Sequence, residues 1–166
     1  MQRLIRRASL ITLCFCLSAF AGTECISESQ DQIQGLWESL SVVQDFKGEG
    51  SIVYVSKVDT KESIKGEINV EKTPEGWNLI REFCGKGWCA TENNVLSLKD
   101  GCMKMDGENV EVTQITATEI NFTRINREVK ETYKLKLSAE DHLRLNISEF
   151  VGNRLRSTLT FKSNPK

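Results

Sequence analysis

A two-residue alternation of apolar and polar side chains constrains this fold more than any other feature of the sequence. In residues 64–72, Ile64, Ile68 and Val70 alternate with charged or polar side chains, and residues 132–161 repeat the pattern in three further runs. Side chains of a β-strand point to opposite faces with this same period, so each run predicts a strand with one buried and one solvated face.

Tight turns separate the runs. Thr73-Pro74-Glu75-Gly76 and two Asp-Gly pairs, at residues 100–101 and 106–107, are typical of hairpin turns. About ten short strands follow one another with no helical crossover of the kind that parallel strands require. The sequence therefore predicts an all-β protein, an antiparallel up-and-down meander closed into a small barrel of about 8–10 strands, with a two-sheet sandwich as the alternative closure.

The N-terminus predicts export. Arg3, Arg6 and Arg7 precede an apolar stretch, residues 11–21, that ends in the small-x-small pattern Ala19-Phe20-Ala21. The stretch is shorter than the roughly 20 apolar residues of a membrane-spanning helix. We predict a cleaved signal peptide over residues 1–21, a polar segment over residues 22–34 and the barrel domain over residues 35–163, in a periplasmic or secreted protein.

Two other fates of the N-terminus compete with cleavage. One is a retained amphipathic anchor helix. The other is lipidation at Cys16 or Cys25, but Phe15 and Glu24 stand immediately before these cysteines, where a lipidation signal has a small residue.

The charge balance of the exported chain argues against a nucleic-acid partner. Loss of the three N-terminal arginines leaves 22 − 3 = 19 basic residues against 23 acidic ones, a net charge of −4. No basic block of the kind that binds a phosphate backbone remains.

Four cysteines remain after export, and disulfides persist in an oxidising compartment. Of the three possible pairings, the sequence favours Cys84 with Cys89, because Cys84-Gly85-Lys86-Gly87-Trp88-Cys89 has a cysteine on each flank of a glycine-containing turn. Cys25 and Cys102 are then predicted to pair by default.

Catalytic and cofactor chemistry is not predicted. A four-residue spacing between cysteines does not fit a thioredoxin-like pair, and His142, the one histidine, is too little for a zinc site. A serine hydrolase would need His142 as its base, yet no Gly-x-Ser-x-Gly turn accompanies it. We therefore expect a non-enzymatic protein without a cofactor.

Ile33-Gln34-Gly35-Leu36-Trp37 carries a family resemblance. Residues 35–43 are predicted as the first strand, after a possible helical turn over residues 28–34, and Gly-x-Trp at the start of an up-and-down barrel resembles the lipocalins. The resemblance implies that Trp37 plugs the closed end under a late basic residue, Arg154 or Arg156. It also implies a cup for a small apolar ligand.

The predicted function is therefore an exported, non-catalytic binding protein. Five aromatic residues are the predicted ligand-binding set: Trp37, Tyr54, Trp77, Phe122 and Tyr133. The alternative is a protein-binding module, such as an inhibitor, an immunity protein or an envelope assembly factor. It would act through the barrel rim or through the turn that carries Trp88 and Lys86, since aromatic side chains often dominate interfaces. The oligomeric state is left open.

Overall fold

In the described part of the chain, the fold is an antiparallel meander of 11 strands preceded by one helix. It is seen in a computed structural model that describes residues 30–56, 58–138, 140 and 142–164. The predicted signal peptide and Cys25 lie outside the described residues. The elements in chain order are α1 (Gln30–Val43), β1 (Asp45–Tyr54), β2 (Thr60–Thr73), β3 (Gly76–Gly85), β4 (Trp88–Lys99), β5 (Cys102–Met105), β6 (Glu108–Asn109), β7 (Glu111–Ile115), β8 (Glu119–Asn126), β9 (Val129–Leu137), β10 (Leu143–Val151) and β11 (Arg154–Ser163).

The strands form one nearly closed barrel, which confirms the predicted all-β antiparallel meander. Their order is β6-β5-β4-β3-β2-β1-β11-β10-β9-β8-β7, so β1 pairs with β11 and the two edges of the sheet are β6 and β7. These edge strands are consecutive in the chain and are separated by Val110 alone. Residues 108–115 therefore run from one edge of the sheet to the other and close most of the remaining gap.

The prediction of a strand over residues 35–43 is wrong, because this segment belongs to α1. Four apolar side chains of the helix, Ile33, Leu36, Trp37 and Leu40, are buried. Their spacing of three, four and seven residues matches one face of a helix. Leu36 and Leu40 fit both a two-residue and a helical period. Glu38, between them, would share their buried face in a strand, but in a helix it lies on a different face. Gly35 and Trp37 therefore lie on a helix and do not open a strand.

Helix α1 covers one end of the barrel, which we call the closed end. The helix leads through Gln44 into β1, and Glu38 in α1 accepts a hydrogen bond from Lys72 in β2 at 3.1 Å. The four buried side chains of α1 join the apolar core, and the side chain of Trp37 has no exposed surface. The opposite, open end has the turns that join β1 to β2, β3 to β4, β8 to β9 and β10 to β11.

The predicted basic residue over Trp37 is not found. Arg154 and Arg156 begin β11, at the open end, and both are exposed. Arg156 instead pairs with Glu149 of β10 at 3.1 Å. The closed end is packed mainly by apolar side chains, and the buried indole nitrogen of Trp37 has no hydrogen-bond partner among the described residues.

Two aromatic rings pack together opposite glycines in the middle of the barrel. Phe83 lies opposite Gly66, Phe161 lies opposite Gly50, and the two rings meet with their centroids 5.5 Å apart. A Cβ atom on Gly66 would lie 2.3 Å from the Phe83 ring, so the ring occupies the place of a side chain there. The Phe83 ring therefore packs the core at a position where Gly66 has no side chain of its own.

The disulfide between Cys84 and Cys89 is confirmed. It joins β3 to β4 directly across their hairpin, with the two Cα atoms 4.1 Å apart. Cys102 is also disulfide-bonded, while its predicted partner Cys25 lies outside the described residues. The Cys84–Cys89 bond indicates an oxidising environment outside the cytoplasm. No helix within the described ranges is long and apolar enough to cross a membrane.

Candidate functional site: a polar cleft in the barrel wall

The short strands β5 and β6 leave a notch in the wall. Strand β4 has 12 residues, but β5 pairs only with its last four, from Leu96 to Lys99. On the other side of the notch, β7 pairs with β8 only as far as Thr123. The first half of β4 and the last residues of β8 therefore face each other across a space with no strand between them.

Asp106 ties the two sides of this notch together from the turn between β5 and β6. Its carboxylate accepts hydrogen bonds from the backbone nitrogen of Val95 at 2.8 Å and from the side-chain amide of Asn94 at 2.9 Å. The same carboxylate pairs with Arg124 of β8 at 3.1 Å. The Asp106 side chain thus links β4 to β8 where no strand lies between them, and it fixes the distance between these two strands.

Arg81 lies behind the cleft, on the inward face of β3, and is only 3% exposed. Its guanidinium pairs with Glu92 and donates a hydrogen bond to Asn94 at 2.6 Å. It also lies over the ring of Tyr133, 5.4 Å from the centroid. A buried cation needs such partners to offset its loss of hydration. Its Nε atom, however, is buried without a hydrogen-bond partner among the described residues.

Arg124 provides the second cation and reaches three carboxylates. Besides Asp106, it lies 3.6 Å from Glu108 of β6 and 4.0 Å from Glu131 of β9. Its side chain is 12% exposed, and its Nε is a second buried donor with no hydrogen-bond partner in the described part of the chain. The Arg124 Nε is the atom that lies 3.6 Å from Glu108, so an ion pair compensates it, whereas no ion pair or hydrogen bond within the described residues reaches the Arg81 Nε.

Tyr133 connects the network to the apolar core. Its hydroxyl donates a hydrogen bond to Glu131 at 3.1 Å, and its ring stacks on Phe122 with centroids 4.7 Å apart. Burial raises the pKa of Tyr133 to about 12, an effect that the nearby Arg81 cation partly opposes and the Glu131 carboxylate adds to. The tyrosine therefore keeps its proton, and with it its role as a donor to Glu131, at every physiological pH.

The resulting cleft has a volume of about 790 Å³ and is lined mainly by residues with polar side chains. This volume lies in the range of small-molecule sites. The lining residues are Glu92, Asn93, Asn94, Arg124, Asn126, Arg127, Glu128, Val129 and Glu131. Three amides, two guanidinium groups and three carboxylates offer both donors and acceptors, with a formal charge of 2 − 3 = −1, while one side chain is aliphatic. Such a lining can orient a ligand through several hydrogen bonds at once.

The structure does not bring the five predicted ligand-binding residues together. Trp37 and Trp77 are buried at the closed end, and Phe122 and Tyr133 are buried as a stacked pair in the core. Tyr54 is exposed at the open end. Of the five, only Tyr133 reaches the polar network.

Trp88 is half-buried and packs against the core, so it is less open to a partner than its position in a turn suggests. Glu62 of β2 accepts hydrogen bonds from the Trp88 indole at 2.8 Å and from the Lys86 backbone at 2.7 Å. The Lys86 side chain is exposed. Contact of this turn with a protein partner stays a prediction.

His142 lies at the closed end of the barrel. Its ring contacts Glu140 at 3.4 Å and the backbone carbonyl of Ser163 at 3.3 Å. The described residues contain no group of three or more histidine, cysteine, aspartate or glutamate side chains that could hold a metal ion.

The sequence contains a signal for this network in the positions of three charged residues. Arg81, Arg124 and Glu131 all stand on the apolar parity of their strands, in phase with Leu79, Phe122 and Tyr133. A charged residue in the buried phase of a strand needs an internal partner, and three of them in one barrel indicate a buried network. Comparison with known proteins finds no matching family model, no matching curated protein and no matching solved structure.

Proposed function

We propose that this protein is an exported, non-catalytic binding protein that holds a small polar ligand in the wall cleft. The observation that supports this function is the cleft's lining of amide, guanidinium and carboxylate groups. Export to the periplasm or the extracellular space is part of the proposal and rests on the N-terminal sequence and the disulfide.

The ligand in this proposal differs from the apolar one that the lipocalin resemblance implies. The largest fully buried side chains of the core, such as Trp37, Phe46 and Phe122, are less than 2% exposed, whereas the wall cleft is lined mainly by residues with polar side chains. A ligand with several donors and acceptors matches those groups, and an apolar ligand would leave them unpaired at a cost. A mono- or disaccharide is the class that we expect.

Native mass spectrometry of the protein purified from its own host tests the proposal. We expect a retained small molecule that is lost in the variant Arg124→Met, which removes a guanidinium from the cleft lining, and kept in Lys130→Met, a matched change of an exposed residue on β9. Because a weak ligand can dissociate during purification, amide chemical shifts are also followed by NMR during titration with a panel of mono- and disaccharides. The absence of both a retained molecule and a saturable shift would count against the proposal.

The barrel rim favours a second candidate function, binding of a protein partner. Several large apolar side chains are exposed at the open end, among them Val58 at 75% in the β1–β2 connection, Tyr54, Val151 and Leu155. Val151 and Leu155 flank the turn between β10 and β11, and the latter strand pairs with β1. Exposed apolar side chains gathered at one rim are typical of contact surfaces.

Co-purification from the native envelope separates this candidate from ligand binding. A partner that binds the rim is expected to be lost when Val58→Asp and Leu155→Asp are combined, and kept in Val42→Asp, which changes an exposed apolar residue of α1 at the closed end. Equal recovery from all three proteins would rule out the rim as the contact surface.

A further inference from the structure

A second cleft, unlike the first, is dominated by positive charge. It lies on the outside of the barrel near the closed end and has a volume of about 310 Å³. We call it the basic cleft. It is lined by Lys136, Ser138, Glu140, His142, Arg144 and Lys162. With histidine counted as neutral, the formal charge of these residues is 3 − 1 = +2, on a chain whose total is −1.

Three cations of the basic cleft occupy neighbouring positions on three adjacent strands. Arg144 on β10 lies directly opposite Lys136 on β9 and directly opposite Lys162 on β11. Residues in such positions have Cβ atoms about 5 Å apart, and like charges placed this way destabilise a sheet. The three cations in this row therefore repel one another, and a bound anion would relieve the repulsion.

The acids near this row lie at its two ends. Lys136 pairs with Glu119 at 3.4 Å, and Lys162 lies opposite Glu49. Arg144, in the middle, has a lysine on each side and no carboxylate within 4.0 Å among the described residues. The one acid of the cleft lining, Glu140, contacts His142. The neighbouring Asp141 lies outside the described residues.

The floor of the basic cleft is ordered by hydrogen bonds. In the turn before β10, the Ser138 hydroxyl accepts a hydrogen bond from the His142 backbone at 3.1 Å, and the Ser138 backbone donates one to the His142 carbonyl at 2.9 Å. The Ser163 hydroxyl accepts one from the Leu143 backbone at 2.8 Å. These bonds hold the start of β10 against β9 and β11, so the three cations project from a rigid frame.

We propose that the basic cleft binds a small tetrahedral oxyanion, phosphate or sulfate, free or as the monoester of a small molecule, with Arg144 as its principal contact. A guanidinium binds such an anion through two parallel hydrogen bonds, and flanking lysines add charge without fixed geometry. A volume near 300 Å³ is at the lower limit of small-molecule sites and suits an anion with a small substituent. This site is separate from the wall cleft, because the two lie at opposite ends of β9.

Titration of the disulfide-bonded protein with sodium phosphate and sodium sulfate, followed by amide chemical shifts at constant low ionic strength, tests the proposal. We expect saturable shifts around Lys136, Arg144 and Lys162, with a dissociation constant on the order of 1 mM or tighter, and no such shifts with sodium chloride. Arg144→Gln is expected to weaken binding about tenfold or more, and Arg144→Lys to restore part of it.

Arg154→Gln is the matched control, since it removes the same charge from an exposed position at the open end of β11. Lys162→Gln provides a second test of the same cleft should Arg144→Gln fold poorly, as judged by its thermal unfolding. Equal losses of anion affinity in Arg144→Gln and Arg154→Gln would mean that the anion responds only to the overall positive charge of the protein, and would overturn the proposal. Shifts that stay linear with anion concentration would do the same.

Glycerol phosphate distinguishes the two sources of the anion. Tighter binding of glycerol phosphate than of inorganic phosphate would identify a monoester as the preferred ligand, and equal binding would identify the free anion. Since the wall cleft takes no part in this experiment, its result is independent of the function proposed above.

Discussion

The two halves of this barrel fill their interior with different chemistry. At the closed end, α1 places Leu36, Trp37 and Leu40 against apolar side chains of the strands, and none of the three has any exposed surface. Towards the open end, Arg81 and Arg124 take inward positions on the same sheet and are surrounded by carboxylates and amides. Towards the open end the interior is therefore mixed, because these charged side chains share it with buried apolar residues such as Ile64 and Phe83.

This difference separates what stabilises the fold from what recognises a ligand. Burial of apolar surface is favourable whatever the relative orientation of the groups, so the closed end can supply most of the free energy of folding. Hydrogen bonds and ion pairs are directional, and a buried charge network contributes little net stability. We infer that the closed end holds the barrel together while the polar network shapes the cleft.

Trp37→Ala tests the closed end and should have the largest effect. The variant removes the largest fully buried side chain and leaves a cavity between α1 and the barrel, so we expect the free energy of unfolding to fall by about 3–5 kcal/mol. Urea unfolding measures it. Val42→Ala, on the same helix but 83% exposed, should change stability by less than about 0.5 kcal/mol. A loss below about 1 kcal/mol for Trp37→Ala would mean that the helix is not essential to the core.

A pair of substitutions at Arg81 tests whether the network stabilises the fold or shapes the cleft. Arg81→Ala leaves Asn94 without its guanidinium donor and opens a cavity, and should cost about 1–3 kcal/mol. Arg81→Met fills nearly the same space without a charge and should cost clearly less, because replacement of a buried charge by an apolar group is often near neutral.

Ligand retention by native mass spectrometry should fall in both Arg81 variants. If Arg81→Met proved as unstable as Arg81→Ala, the charge itself would be stabilising the barrel, and the division between the two halves would fail.

Tyr133→Phe has the smallest expected effect at neutral pH, about 0.5–1.5 kcal/mol for the lost hydrogen bond to Glu131. Its alkaline effect is more specific. Burial, as the main cause, raises the pKa of Tyr133 from 10.0 in the unfolded chain to about 12 in the folded protein. The folded state therefore holds a proton that the unfolded state releases. This contribution is fully present below pH 10 and is lost as the pH rises through about 12.

Urea unfolding of both proteins between neutral pH and pH 12 measures this contribution, and tyrosinate absorbance follows the titration directly. The slope of stability against pH above 10 should differ between wild type and Tyr133→Phe. Identical slopes would show that Tyr133 is open to solvent, and that the polar half of the barrel is less enclosed than its hydrogen bonds indicate.

Much of the fold could be predicted because the signals for it are local. Alternation in residues 64–72 places Ile64, Ile68 and Val70 on the inward face of β2, and the Cys84–Cys89 hairpin follows from glycines and cysteines a few residues apart. The helix was missed for a local reason as well, since Leu36 and Leu40 fit two periods. The Gly-x-Trp motif favoured the two-residue period, whereas the segment is a helix.

The wall cleft could not be predicted, because its position depends on where strands end relative to distant neighbours. The inward phase of Arg81, Arg124 and Glu131 shows that charge is buried, but it does not show which charges meet. Arg81 and Arg124 are far apart in the sequence. They share a network because Asp106 contacts both Asn94 and Arg124, and because Glu131 contacts both Arg124 and Tyr133, whose ring lies under Arg81.

By itself, the amino-acid sequence determined the strand character, the antiparallel connectivity and the Cys84–Cys89 disulfide, since each depends on residues close together in the chain. Only the tertiary structure decided that α1 closes one end and that a notch opens the wall. Both follow from the way a curved sheet closes on itself, and sheet closure depends on pairings between residues far apart in the sequence.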